Sequence, residues 1–141
     1  MNTADRIVAE TRRWIGTPYR HQADVLGVGV DCAMIMVRIF TALEMIPDDI
    51  DPRPYSPDWH LHRSDEKYLG WVERYAVKVD DPQPGDIALF QFGRCLSHGG
   101  IVDQITPEIT MIHADMHAGC VERAEVRRWQ DRLAGYWRMH A

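Results

Sequence analysis

At 141 residues, with 45% hydrophobic and 26% charged residues, the chain has the size and composition of one soluble domain with a continuous core, and residues 1–141 are read as a single unit. The formal net charge of −5 gives no support to nucleic-acid binding, and no run approaches the roughly 18 apolar residues of a spanning helix, so membrane insertion is not expected. The N-terminus lacks the apolar core and small-residue cleavage site of a signal peptide; the expectation is cytoplasmic synthesis, then retention or signal-free export in a larger particle.

Ile7, Val8, Thr11, Trp14 and Ile15 recur at helical spacing, which predicts an amphipathic helix from Thr3 to about Ile15, ended by Gly16 and Pro18. "GTPYRHQADVLGVG" follows, with glycines, a proline and mixed polarity, and reads as a long ordered loop of the kind that carries function. Asp31 is suited to cap the next helix, whose first turn holds Cys32 and whose nearly continuous apolar residues run from Ala33 through Phe40 to Leu43. Beyond the turn-rich "MIPDDIDPRPYSPDW", one bent helix or two short ones are expected between Trp59 and Tyr75, with Ser64 as a second cap.

The period then changes to that of strands. "AVKV", "DIALFQF", "GGIVDQI", "TMIHA", "GCVERAEV" and "AGYWRM" are short β-prone runs separated by turn signals. Helices first and antiparallel strands last describe an α+β domain, a curled sheet or small barrel packed against the central helix.

Three widely spaced cysteines, Cys32, Cys95 and Cys120, suggest neither a disulfide framework nor a metal knuckle. A cysteine beside an apolar helix is more often core than chemistry. The start of a helix improves the odds for Cys32, because free amides and the dipole favour a thiolate there. Asp31 acts against this unless amide hydrogen bonds absorb its charge.

His98 and His113 are the candidate bases. If the hairpin between them turns near residues 105 and 106, an antiparallel ladder sets the two imidazoles opposite each other on one face. One ring then holds the other in its working tautomer. His21, His60, His62, His117 and His140 are less diagnostic. His113, His117 and Cys120 lack an accepted zinc spacing, so no metal or other cofactor is expected, and Gly27 and Gly29 make no phosphate loop. Cys95 is expected in the loop before His98, and Cys120 in a strand facing the core.

In this order, "WIGTPYRH", "GVDC", "PGDIALF", "SHGGIV" and "MIHA" resemble the NlpC/P60 superfamily of papain-like cysteine peptidases, over residues 7–137. The stretch "GTPYRHQADVLGVGVDC" is similar to the branch found in phage tails and gene transfer agents. The resemblance implies Cys32 as nucleophile, His98 as general base, His113 as orienting residue and Tyr19 as a contributor to the site. It implies as substrate a stem peptide of bacterial peptidoglycan, commonly at the D-glutamate to diaminopimelate bond, and as partners the proteins of a phage-like tail or baseplate, with action in the periplasm.

The mechanism implied is hydrolysis through an acyl-enzyme, with the Cys32 amide as oxyanion donor, Tyr19 or a neighbouring amide as a second, and Arg20 as a receptor for substrate carboxylates. Ala33 and Met34 stand where the family commonly has serine and glycine, a bulkier helix start that bears on the width of the cleft. Two rival readings stay open: an amidase of the same fold acting on a lipid or small-molecule amide, and a structural tail-tip module without activity.

Overall fold

The computed structural model describes residues 1–55, 67–93 and 95–140. Helix α1 spans Thr3–Arg12 and is capped by Asn2, whose side chain accepts from the Asp5 amide at 2.8 Å. It ends earlier than its apolar periodicity predicts. The amides of Trp14 and Ile15 bond back to Thr11 and Arg12, a tightened last turn, and Gly16 then takes a φ of 89° that a side chain would resist.

Helix α2, Cys32–Ala42, follows the expected course and buries Met34, Ile35, Met36, Ile39 and Phe40. Helix α3, Lys67–Tyr75, is the described part of the region expected to be helical from Trp59; Trp59 and the expected cap Ser64 lie outside the described residues. Among the described residues no helix is long and apolar enough to cross a membrane.

The long loop contains a two-stranded ribbon, β1 (Asp24–Val25) with β2 (Gly29–Val30), too short to have shown in its sequence. Six further strands form one curled antiparallel sheet: β3 (Ala76–Val79), β4 (Ile87–Phe92), β5 (Cys95–Gln104), β6 (Thr110–Asp115), β7 (Cys120–Glu125) and β8 (Leu133–Met139). Their order across the sheet is β3-β8-β4-β5-β6-β7. This is the expected α+β architecture. Strand β5 is longer than its apolar run, since Cys95 and Leu96, expected in a loop, already pair with Phe92 and Gln91. A 3₁₀ helix over Val126–Arg132, which no apolar period announces, links β7 to β8.

The sheet is buried on two faces. One packs Leu89, Ile101, Ile112, Ala114 and Val121 against α1 and α2. The other gathers Ala88, Phe90, Met111 and Val126 under Trp129, Leu133 and Tyr136. Alternation along each strand serves both cores.

The loop after α1 reaches the sheet at β7. Gly16 donates to the Val121 carbonyl at 2.9 Å, Val121 to Thr17 at 2.9 Å, and Tyr19 to Gly119 at 2.8 Å. On its other side the same segment bonds Val30, through Val30 to Pro18 at 3.0 Å and Arg20 to Val30 at 3.0 Å. Backbone pairing on both sides therefore holds Tyr19 close to the start of α2.

Candidate active site

Cys32 opens α2, and Asp31 caps it from a buried position, 1% exposed. Asp31 Oδ1 accepts from the amides of Ala33 at 3.2 Å and Met34 at 2.8 Å, while Oδ2 takes the Gln22 amide at 2.7 Å and the Tyr55 hydroxyl. Both oxygens are thus satisfied, which is what allows a carboxylate to remain buried. The cap leaves the amide of Cys32 itself free of the carboxylate and directed at its own sulfur.

A strap from the proline-rich connection closes over this cap. The Tyr55 carbonyl accepts from Gln22 Nε2 at 2.9 Å and meets His21 Nε2 at 2.8 Å; Arg53 Nη1 donates to the Gln22 carbonyl at 3.0 Å. Tyr55 had no marker in the sequence beyond its place among prolines.

The Cys32 thiol donates to the carbonyl of Ser97 at 3.7 Å, the residue immediately before His98. Ser97 is an extra residue in the ladder, because β4 pairs Phe90 with His98 but Gln91 with Leu96. Such a bulge frees a backbone carbonyl and re-aims the neighbouring side chain. The His98 ring then leans on Phe90 and Phe92, with centroids 5.9 and 5.7 Å away, and its Nε2 lies 2.7 Å from His113 Nδ1.

The expected register is corrected here. His113 does not face His98: β5 and β6 pair Ile101 with Ile112 and Val102 with Met111, which carries Gly100 opposite His113. The hairpin turns two residues later along β6 than expected, partly because Asp103 is bulged out between Val102 and Gln104. A shift of two preserves the face. The rings therefore still meet, diagonally, across a glycine.

His113 is 1% exposed, stacked edge-on against Trp129 with centroids 4.9 Å apart, and its Nε2 meets Glu122 Oε2 at 2.9 Å. Glu122 is the residue directly opposite His113 on β7. Sequence reasoning missed it. Folding "HADMHAGCVE" about His117 and Ala118, with Gly119 as the turn signal, would have found it.

Electrostatically the resting site is neutral. Burial first and the Asp31 charge second push the Cys32 thiol up to about 12, outweighing the Tyr19 hydrogen bond and the helix-start amides that favour a thiolate. This overturns the expectation that helix-start amides lower it. Burial, then the neighbouring His113, depresses the His98 imidazole to about 3; His113 is lowered too, by burial, against the pull of Glu122. Tyr19 is raised by burial and by the Cys32 and Asp31 charges, so it is a hydrogen-bond donor.

The sequence matches no family model and no curated protein. Solved structures do resemble it. The NlpC/P60 domain of the peptidoglycan hydrolase SagA aligns with a TM-score of 0.63 at 17% identity, covering 99% of this chain and 100% of that one. The fold is that of the NlpC/P60 domains. An NlpC/P60 family protein from Bacillus cereus gives 0.64 at 20% identity over 96% of this chain, which spans only 40% of that protein. An N-acetylmuramoyl-L-alanine amidase from Bacteroides uniformis gives 0.61 at 12% identity, covering 98% and 99%.

Within this NlpC/P60 fold the residues singled out from sequence divide. Cys32, Asp31 and Tyr19 share one end of α2, and His98 and His113 share one sheet face. Arg20 is exposed, its aliphatic stem lying over Gly29, where an added Cβ would meet Arg20 Cδ at 2.7 Å. Met34 is fully buried in the core, so its bulk does not narrow any cleft; Ala33 is half-buried. Cys120 opens β7 half-buried, opposite Asp115, rather than within the core.

His113, His117 and Cys120 do not converge on one another as donors. The donor atoms that do gather, within 4.8 Å of one another, belong to His113, Asp115 and Glu122. Both His113 ring nitrogens are engaged, so a divalent ion would have to displace the Glu122 bond to enter.

Proposed function

We propose that this chain is a cysteine peptidase that hydrolyses an amide bond in the stem peptide of bacterial peptidoglycan, that between D-glutamate and diaminopimelate, through a thioester acyl-enzyme. The observation that carries the reading is a thiol at the head of a capped helix, hydrogen-bonded to the carbonyl next to a histidine whose far nitrogen is engaged at 2.7 Å by a second histidine. The likeness to the domain of a peptidoglycan hydrolase supports the substrate class.

With thiol and imidazole both neutral at rest, the proton leaves as the bond forms. Cys32 turns from the Ser97 carbonyl, His98 takes its proton, and sulfur attacks the substrate carbonyl. The Cys32 amide, left free by the Asp31 cap, donates to the developing oxyanion, with the Tyr19 hydroxyl as second donor. His98 then protonates the departing amine and activates the water that cleaves the thioester. Arg20, exposed on the same loop, receives a substrate carboxylate.

The stretch "GTPYRHQADVLGVGVDC" supports a further part of the reading: the domain works in a phage-like tail or baseplate, acting on the wall in the periplasm. Purified muropeptides incubated with the protein and resolved by mass spectrometry test the chemistry. The expected result is a product with a new D-glutamate carboxyl group. Release of L-alanine from muramic acid would instead assign amidase activity, as named for the Bacteroides uniformis neighbour. No cleavage of any muropeptide would favour a structural module or another amide substrate.

A further inference from the structure

The two histidines present a choice that their mutual bond does not resolve. A hydrogen bond between His98 Nε2 and His113 Nδ1 can run in either direction, and only one direction leaves a base for Cys32. If His98 donates, its Nδ1 carries a lone pair. If His113 donates, His98 Nδ1 carries the proton and cannot accept another.

The group at the far end of the pair decides. Glu122 Oε2 lies 2.9 Å from His113 Nε2, and an ionised carboxylate can only accept. His113 Nε2 must therefore hold the hydrogen, His113 Nδ1 must accept, His98 Nε2 must donate, and His98 Nδ1 is left bare. We propose that Glu122 is a positioning residue that sets the tautomers of both imidazoles and so makes His98 Nδ1 the base. The inference rests on the cysteine-hydrolase reading for its purpose, but not for its geometry.

The surroundings keep this chain of bonds intact. His113 is buried beneath Trp129, Glu122 keeps its side chain 25% exposed, and Phe90 and Phe92 cover the His98 ring. Solvent therefore reaches the carboxylate more readily than the buried ring between. When the Cys32 proton arrives on His98 Nδ1, the ring becomes an imidazolium with hydrogen on both nitrogens, and its Nε2 hydrogen still points at His113. Glu122 supplies the one negative charge hydrogen-bonded to that pair. No proton needs to leave the pair for the thiolate to form, and the same proton passes on to the leaving amine.

The test substitutes a donor for the acceptor. Glu122→Lys offers only hydrogens to His113 Nε2, which reverses both tautomers; Glu122→Gln retains an oxygen acceptor without charge. Nitrogen-15 NMR of histidine-labelled protein at neutral pH reads which ring nitrogens are protonated, with no substrate present. The unsubstituted protein is expected to carry bare Nδ1 on both His98 and His113, the lysine variant bare Nε2. Muropeptide turnover should fall ~10³-fold or more in the lysine variant through kcat, with KM within about threefold, and by ~10-fold in Glu122→Gln.

A protonated His98 Nδ1 in the unsubstituted protein, or unchanged tautomers in a folded lysine variant, overturns the assignment. If Glu122→Lys fails to fold, Glu122→Ala takes its place, and mixed tautomers with turnover below that of Glu122→Gln are the expected result; wild-type tautomers there refute the proposal. Correct tautomers in a protein that cleaves no muropeptide would uphold Glu122 and sink the hydrolase reading.

Discussion

His98 and His113 meet diagonally across two strands, Nε2 to Nδ1 at 2.7 Å, over the backbone of Gly100. A Cβ at Gly100 would lie 2.7 Å from Met111 Sδ and 3.2 Å from His113 Cβ. The sulfur sits on a flexible chain and can swing away. The His113 Cβ is anchored to its strand, so the ring would be pushed off its partner.

Gly100→Ala is therefore expected to lower muropeptide turnover by ~10–100-fold and stability by about 1–2 kcal/mol. Gly70→Ala is the matched control. Nothing lies within 4 Å of its added Cβ, and in the interior of α3 it should stabilise by ~0.5–1 kcal/mol with turnover unchanged. Denaturant midpoints and steady-state kinetics on the two variants check both halves.

Cys32→Ala should abolish hydrolysis while the folded state keeps its stability to within about 1–2 kcal/mol, since a side chain in the first turn of a capped helix is removed and no network partner is orphaned. Cys95→Ala and Cys120→Ala should retain turnover. Loss of activity in either of those folded variants would mean that the nucleophile has been misassigned.

The raised thiol has a kinetic signature. With the Cys32 thiol pushed up to about 12, alkylation by iodoacetamide in the absence of substrate should rise ~10-fold per pH unit from pH 6 to 9, without a plateau. A plateau across neutral pH would reveal a preformed thiolate–imidazolium pair. Asp31→Asn removes the second-largest cause of the shift, so alkylation at a given pH should quicken. The variant should also lose about 1–3 kcal/mol of stability, because an amide cannot accept from Ala33, Met34, Gln22 and Tyr55 as a carboxylate does.

Two buried neutral histidines make the fold acid-sensitive. His98, depressed to about 3, and His113, lowered as well, stay unprotonated in the folded protein while the unfolded chain gains protons below about 6.5. The unfolded state then binds more protons, so stability falls as pH drops from that value towards the folded values. The slope is bounded by about 1.4 kcal/mol per pH unit for each histidine. Thermal unfolding at pH 7 and pH 4.5 should show the loss, and His98→Gln should reduce it. An unchanged midpoint in the unsubstituted protein would count against the buried neutral pair.

Much of this molecule was legible in its sequence because the signals are local. The period of α2 and the carboxylate at Asp31 marked a capped helix and set Cys32 in its first turn, and short alternating runs marked the strands of the sheet. Parity alone was enough to put His98 and His113 on one face, since a register wrong by two residues still keeps the side. What the chain could not announce depends on neighbours distant in sequence. The bulge at Asp103 that resets the hairpin goes with a buried carboxylate tied to Arg12 of α1 at 2.8 Å and to Arg123 of β7 at 2.6 Å, so three elements must already be assembled around it. Glu122 and Tyr55 gain their places through cross-strand pairing and a strap from another segment. The pKa values of the site were likewise decided by the tertiary structure: the amides at the head of α2 favour a thiolate, and only burial, reinforced by Asp31, reverses the sign.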